Sequence, residues 1–334
     1  MLAIASLFFL AWHLRGVILM LFGAVVVASV FRAIADILKK RLRLPDAIAV
    51  GGSVLIVLAT IVGLAMLFGN QIGQQVETLK ETLPRAWSSL EKRLGEMGLG
   101  EALSQGITGG GAFANIGRTL ISVGSGLADT LVVIFGGIFL AAQPNFYRIG
   151  LVKLVPAAKR ALVTEAMIDS ERALRLWLKG QLIAMVIVGI LTGVGLWALG
   201  MPSALVLGLL AGVLEFIPFA GPILAAIPAI LLALAASPDL ALWVVLLYIA
   251  VQQVEGAVVQ PIVQQYAVDL PGVILLFALI AFGTLFGAIG VILAAPLAVV
   301  TYVLVKRLYV REALDTHTPI PGETSSDRQT SKTA

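Results

Sequence analysis

Residues 203–236 read SALVLGLLAGVLEFIPFAGPILAAIPAILLALAA, 34 positions carrying one charge, Glu215, which opens the run Phe216-Ile217-Pro218-Phe219-Ala220-Gly221-Pro222. Residues 272–305 read GVILLFALIAFGTLFGAIGVILAAPLAVVTYVLV, another 34 positions without a charge, interrupted at Gly283-Thr284-Leu285-Phe286-Gly287-Ala288-Ile289-Gly290. As one straight helix either stretch would run about 51 Å, well beyond a hydrocarbon core of about 30 Å. Two complete crossings would need about 40 residues and a turn. Two half-helices with a turn at membrane depth fit the length best, so each stretch is read as a re-entrant hairpin. A single kinked crossing would leave Lys306 and Arg307 on the same side, so charge does not separate the two readings.

Working outward, Leu240–Val259 is an ordinary span between the two broken stretches, and Gln181–Leu199 precedes them, ending at Gly200-Met201-Pro202. Across 176–305 the charged residues are Lys179, Glu215, Asp239, Glu255 and Asp269. Over the whole 334 residues, 59% are hydrophobic and 13% charged, with a mean hydropathy of +1.01. Soluble domains run about 45–50% apolar and about 25% charged. Too few charges exist to keep this surface in water, and the fold class is an all-α polytopic membrane protein.

The net charge of +4 does not mark a nucleic-acid partner, because the basic residues cluster beside apolar stretches in the manner of the positive-inside bias. Cysteine is absent and His13 and His317 are the two histidines. Disulfides, thiolate chemistry and histidine metal sites are thereby excluded, and no metal or cofactor is expected.

On the amino-terminal side, Leu2–Trp12 lacks a basic n-region and a cleavage site, so it reads as a short membrane segment rather than a signal peptide. Gly16–Leu38 is the first full span. Lys39, Lys40, Arg41 and Arg43 stop it on the cytoplasmic side. Pro45 and Asp46 open the next span, to about Phe68, so 1–69 form the amino-terminal membrane segments. The stretch 70–117 reads as an extracytoplasmic arm, with Ile72, Val76, Leu79, Leu83, Leu90, Leu94 and Met97 forming an apolar helical stripe broken by Pro84. Another subunit, the membrane surface or the arm's own two halves would cover that stripe.

The stretch 118–143 is a membrane segment that carries Asp129. In 144–179 seven basic residues face three acids, which places this amphipathic stretch in the cytoplasm, with a helix from Pro156 towards Gly180. Residues 180–310 form the transport core, with hairpins at about 203–236 and 272–305. The remainder, 311–334, rich in Thr and Ser, reads as a disordered cytoplasmic tail.

Interrupted helices in corresponding positions point to a substrate site near the membrane midplane. Backbone freed at Pro218, Gly221 and Pro222, and at Gly283, Gly287 and Gly290, is tolerated only against protein or a water-filled cavity. The bland alternative is a kink that helps helices pack. An acid deep in a span costs about 2.5–3.5 kcal/mol on insertion scales, so Glu215 and Glu255 are candidate functional residues. Gln252 shares the helix face of Glu255, and Pro261 follows it. No Lys or Arg occurs in 180–305, which leaves these acids to hold a proton, a cation or a polar solute, or merely to join helices by a hydrogen bond. Asp129 is a weaker candidate, nearer the end of its span. No Walker lysine follows the glycines, so nucleotide-driven transport is unsupported.

Gly180-Gln181, Glu215 through Pro222, Gln253-Val254-Glu255 with Pro261, and Phe286 through Gly290 with Ala295-Pro296-Leu297 occur in this order. In these residues the chain resembles the autoinducer-2 exporter family of bacterial membrane permeases. The resemblance covers 16–310 and is most specific in the second half. It implies about eight membrane segments, a homo-oligomer (a pentamer in the family) and export of a small molecule; the location expected is the bacterial inner membrane, with the carboxyl terminus, read from the charge pattern, in the cytoplasm. It further implies that Pro218–Pro222 and Gly283–Gly290 are hairpin tips lining the pathway and that Glu255 faces it. Gly256 departs from the pattern, which commonly has Asn there.

The function expected is a secondary transporter exporting a small polar solute such as autoinducer-2, coupled to an ion gradient. A sodium or lithium/proton antiporter without organic substrate is the alternative. A non-transporting membrane scaffold, acting through the amphipathic stripes, is another. An enzyme is not expected, since the spans contain no Ser–His pair, no metal cluster and no pair of acids at helical spacing.

Overall fold

A computed structural model describes residues 13–60, 62–63, 66, 127–261, 270–316 and 318. Leu2–Trp12, the 70–117 arm and most of the 311–334 tail lie outside the described residues. All regular structure among the described residues is helical. The helices are α1 (Arg15–Leu42), α2 (Asp46–Thr60), α3 (Leu127–Ala142), α4 (Pro144–Lys153), α5 (Arg160–Ala198), α6 (Ala204–Leu214), α7 (Ala220–Ala236), α8 (Pro238–Val254), α9 (Gly272–Ile292) and α10 (Ala294–Leu304). Four described helical stretches are long and apolar enough to cross a bilayer, and five if α3 and α4 count together as one bent span.

The described parts of 1–59, 128–181 and 262–334 make one compact unit, and those of 60–127 and 182–261 make another. In the first, α1 ends where Arg43 turns left-handed (φ 53°) behind Lys39, Lys40 and Arg41, whose charges complement the negative end of the helix dipole. Ala28, Phe31 and Ala35 of α1 pack with Ala49 and Val50 of α2 and Ala141 of α3. Gly136 and Gly137 let α3 close on α1: a Cβ at Gly137 would come within 2.6 Å of Val27. Arg32 bolts the three helices together. Its Nε donates to the Ala141 carbonyl at 2.7 Å, and its Nη1 to the Asp46 carboxylate at 2.9 Å. Arg32→Met is expected to lower unfolding free energy by about 2 kcal/mol, the usual worth of hydrogen bonds to a charged group. Thermal unfolding of the detergent-solubilised protein would measure it, and an unchanged midpoint would refute the role.

At Gln143 the chain bends by 90° between α3 and α4. Pro144, at the first position of α4, suits that start because its missing N–H is not needed there. Further on, Arg307 pairs with Glu165 and lies 3.8 Å from Asp169, tying the turn Val305–Arg311 to the start of α5.

Helix α5 continues across the expected division at 179/180, close to where the two compact units divide, between Gln181 and Leu182. It runs unbroken through a buried Gly180 for 39 residues, about 58 Å at 1.5 Å per residue. One glycine costs a helix interior only about 1 kcal/mol, too little to break a helix with apolar neighbours on both sides.

In the second unit, the later half of α5 lies against α6 through four glycines. Cβ atoms at Gly208 and Gly212 would fall 2.5 Å from Gly193 Cα and 2.7 Å from the Met185 carbonyl. Small residues four apart on both helices allow this approach. Gly208→Leu is therefore expected to push the helices apart and to destabilise the fold by about 3 kcal/mol, at the upper end of overpacking costs. Loss of a monodisperse species on size exclusion would report it. Near the start of α6, Ala204 and Leu207 cluster with Ala229 and Ala233 near the end of α7. That pairing of far ends makes α6 and α7 an antiparallel helical hairpin. Helix α8 follows from Ser237, whose Oγ accepts from the Leu240 N–H at 3.1 Å, with Pro238 at the first helical position.

Candidate functional site

Helix α6, at 11 residues, is about 16 Å long and ends in the turn 215–219. Phe219 takes a positive φ (64°, with ψ −48°) to reverse the chain, and the Ala220 N–H donates across it to the Pro218 carbonyl at 2.7 Å. The Gly221 N–H donates to the Ile217 carbonyl at 2.8 Å. A Cβ at Gly221 would sit 2.0 Å from the Leu214 carbonyl oxygen, so only glycine fits where α7 starts back along α6. Pro218 and Pro222 flank this reversal. Their missing N–H groups need no partner in the tight turn.

Glu215 caps the end of that first arm, opening the turn, and is 3% exposed. Glu255 lies 40 positions later and is 8% exposed. Val251, Glu255 and Val259 form the buried stripe of α8 and its continuation, at the four-residue step of a helix face. The backbone widens at this point into a π-turn, Glu255–Val259, a deviation common at functional sites.

The two carboxyl groups lie within hydrogen-bonding reach of each other. Gln252 Nε2 donates to Glu255 Oε2 at 2.6 Å, one turn earlier on the same helix. A further turn back, Tyr248 Oη donates to the Ala225 carbonyl of α7 at 3.1 Å and so pins the returning arm of the hairpin to α8. Tyr248 escaped the sequence reading because an aromatic in a span has many structural uses. Its spacing of four and seven from Gln252 and Glu255 was the available signal.

The pairing of Glu215 with Glu255 was likewise out of reach of helical spacing, since it is made between two helices. Two buried carboxylates in contact cannot both remain charged without a compensating proton or cation. The arrangement can therefore bind one of these between acidic oxygens, with the Gln252 amide as an additional polar contact. Among the described residues there is no cluster of three or more His, Cys, Asp or Glu side chains suited to a metal ion.

The other sequence candidates fall elsewhere. Pro261 is exposed just after the π-turn. Asp129 is exposed in the first turn of α3, where the positive end of the helix dipole favours an acid. Gly283, Gly287 and Gly290 belong to the first unit. Gly287 adopts φ 67°, ψ −147° inside α9, a conformation essentially reserved for glycine. A Cβ at Gly290 would lie 2.0 Å from the Phe282 carbonyl oxygen. Residues eight apart in an unbroken helix would be about 12 Å apart, so the chain doubles back here too. This reversal and the start of α1 line a cavity of about 340 Å³, with Thr284, Phe286 and Gly287 facing Gly16 and Leu19.

A helical membrane protein whose apolar segments reverse at Gly and Pro, with acids buried beside one reversal, has the architecture that secondary transporters use. Residues 1–309 match the AI-2E family transporter family, and the chain belongs to it. The AI-2 transport protein TqsA of Escherichia coli is 26% identical over 286 residues, covering 80% of this chain and 79% of TqsA. YrrI of Bacillus subtilis is 34% identical over 151 residues, 45% of this chain and 43% of that protein. YueF of the same organism is 31% identical over 159 residues, 48% of this chain and 42% of YueF. The chain thus spans under half the length of these two Bacillus relatives.

Proposed function

We propose that this protein is a secondary transporter of the bacterial inner membrane. It exports a small polar solute such as autoinducer-2, and an ion bound at Glu215 and Glu255 couples that export to a gradient. The observation that carries the reading is the buried carboxyl contact at the end of a helical hairpin. An ion that binds this pair better in one conformation than another shifts the balance between them, which is what coupling requires. Family membership and the similarity to TqsA support the solute class. The subunits assemble as a homo-oligomer, a pentamer by family resemblance, with the carboxyl terminus in the cytoplasm.

The same site favours a second reading, a sodium or lithium/proton antiporter without organic substrate. Two carboxyl oxygens and one amide make a donor set suited to a small monovalent cation, and Gly256 offers no side chain for an organic solute. Purified protein in sealed liposomes, with a pH-sensitive dye and an imposed proton gradient, separates the readings. Proton movement on adding sodium or lithium alone selects the antiporter. Gradient-dependent movement of labelled autoinducer-2, with no response to either cation alone, supports the exporter. Silence in both arms would remove transport and return the scaffold.

A further inference from the structure

A second polar centre lies in the first unit, at the end that carries the basic run Lys39–Arg43. Where the chain bends at Gln143, a cleft of about 640 Å³ is lined by Arg32, Lys39, Arg148 and Arg175 against two acids, Asp46 and Glu171. Arg32 and Lys39 share Asp46, at 2.9 and 3.0 Å, and Arg175 pairs with Glu171 and with Asp36 at 2.7 Å. Arg148, half-buried, donates instead to the neutral Asn145 Oδ1 at 2.7 Å. The cleft therefore holds more positive than negative charge. The amino-terminal turn of the ten-residue helix α4 forms part of its wall and adds the positive end of a helix dipole.

A second cavity of about 370 Å³ shares Arg32, Pro144, Arg148 and Glu171 with the cleft. Its other walls are mostly apolar, among them Leu21 and Val25 of α1, Leu140 of α3, Leu151 of α4, and Val300 and Leu304 of α10. Helix α4, turned 90° from α3, exposes Phe146, Ile149 and Leu151, with Leu154 just beyond its end. A short helix at right angles to a span, with exposed apolar side chains, is suited to lie in the bilayer interface.

We propose that the cleft and the cavity adjoining it at Arg148 together form a binding site for an anionic phospholipid, with the phosphate in the Arg148 cleft and an acyl chain in the apolar slot. Charge complementarity selects an anionic headgroup over a zwitterionic one. Basic pockets between membrane helices take anionic lipids for this reason. The slot selects a lipid over free phosphate, because an inorganic anion leaves the apolar walls empty.

The test uses the full chain, purified in detergent and stripped of lipid, with native mass spectrometry as the readout. Palmitoyl-oleoyl phosphatidylglycerol is expected to be retained over the matching phosphatidylcholine. Arg148→Gln is expected to reduce phosphatidylglycerol retention about fivefold, the loss of one charge contact near the membrane surface. Leu151→Trp, which fills the slot without changing charge, is expected to reduce retention as well. Lys179→Gln, exposed and outside both cavities, serves as the control and is expected to leave it unchanged. Equal retention of the two lipids, an unaffected Arg148→Gln protein, or a Lys179→Gln loss as large as that of Arg148→Gln would overturn the site. Loss in Arg148→Gln with none in Leu151→Trp, or displacement of the lipid by millimolar inorganic phosphate, would overturn the lipid assignment. Each variant is first checked for the parent elution volume, and Arg148→Lys, which keeps the charge, is expected to recover retention.

Discussion

Glu255→Gln is expected to lower ion-coupled flux in liposomes by about tenfold or more, the consequence of removing roughly 1.4 kcal/mol of ion binding from one conformation. The substitution keeps side-chain size, and its amide oxygen still accepts from Gln252, which bonds Glu255 at 2.6 Å in the native chain. The fold should therefore survive while the exchangeable negative charge is lost. Glu215→Gln is expected to behave alike, because its carboxyl is in contact with that of Glu255. Residues that act as one unit are not additive, so the double variant should transport no worse than either single one. Parallel dye assays on the three proteins decide this. Normal flux in Glu255→Gln would remove the residue from the mechanism, and independent, multiplying losses would separate the two acids into unrelated roles.

The second large effect is structural. Gly221→Ala places a methyl group where the Leu214 carbonyl oxygen is 2.0 Å away and its carbon 2.6 Å away. Both are backbone atoms at the reversal between α6 and α7, so neither swings aside as a side chain would. The expected cost is about 3 kcal/mol, at the upper end of overpacking losses. Because Glu215 and its contact depend on the same turn, transport should fall with stability. Gly256→Ala is the matched control, since a Cβ there meets nothing within 4 Å, and it should stay within about 0.5 kcal/mol of the parent. Thermal unfolding with size exclusion measures both. A Gly221→Ala protein that melts with the parent would show that the reversal is less tight than described.

Much of this architecture was legible in local sequence. The charge desert over 176–305 identifies membrane helices, because lipid penalises each exposed charge separately. The Glu215–Pro222 and Gly283–Gly290 interruptions mark reversals, because proline removes a backbone donor and glycine alone fits φ 67° at Gly287 or a carbonyl at 2.0 Å from a Cβ. These constraints act within a few residues and so appear in a linear string. The candidate acids were visible too, since an intramembrane Glu is rare enough to stand out singly.

What joins distant positions was not legible in that way. Helical spacing places no second acid on the face of Glu255, yet the hairpin carries Glu215 to it from 40 positions away. Around Gly180 the helix continues because packing outweighs the modest propensity cost, so the division between the compact units near Gln181 falls inside one helix. Arg32 reads as one more basic residue near a span end, whereas in the fold it joins the end of α3 to the start of α2. Nothing near Arg148 in sequence foretells a largely apolar slot built from α1, α3, α4, α5 and α10. Sequence alone therefore determined the membrane class and the two reversals at Glu215–Pro222 and Gly283–Gly290, since hydropathy and backbone sterics are local. The tertiary structure alone decided which polar groups meet, because those contacts depend on how helices far apart in the chain pack against one another.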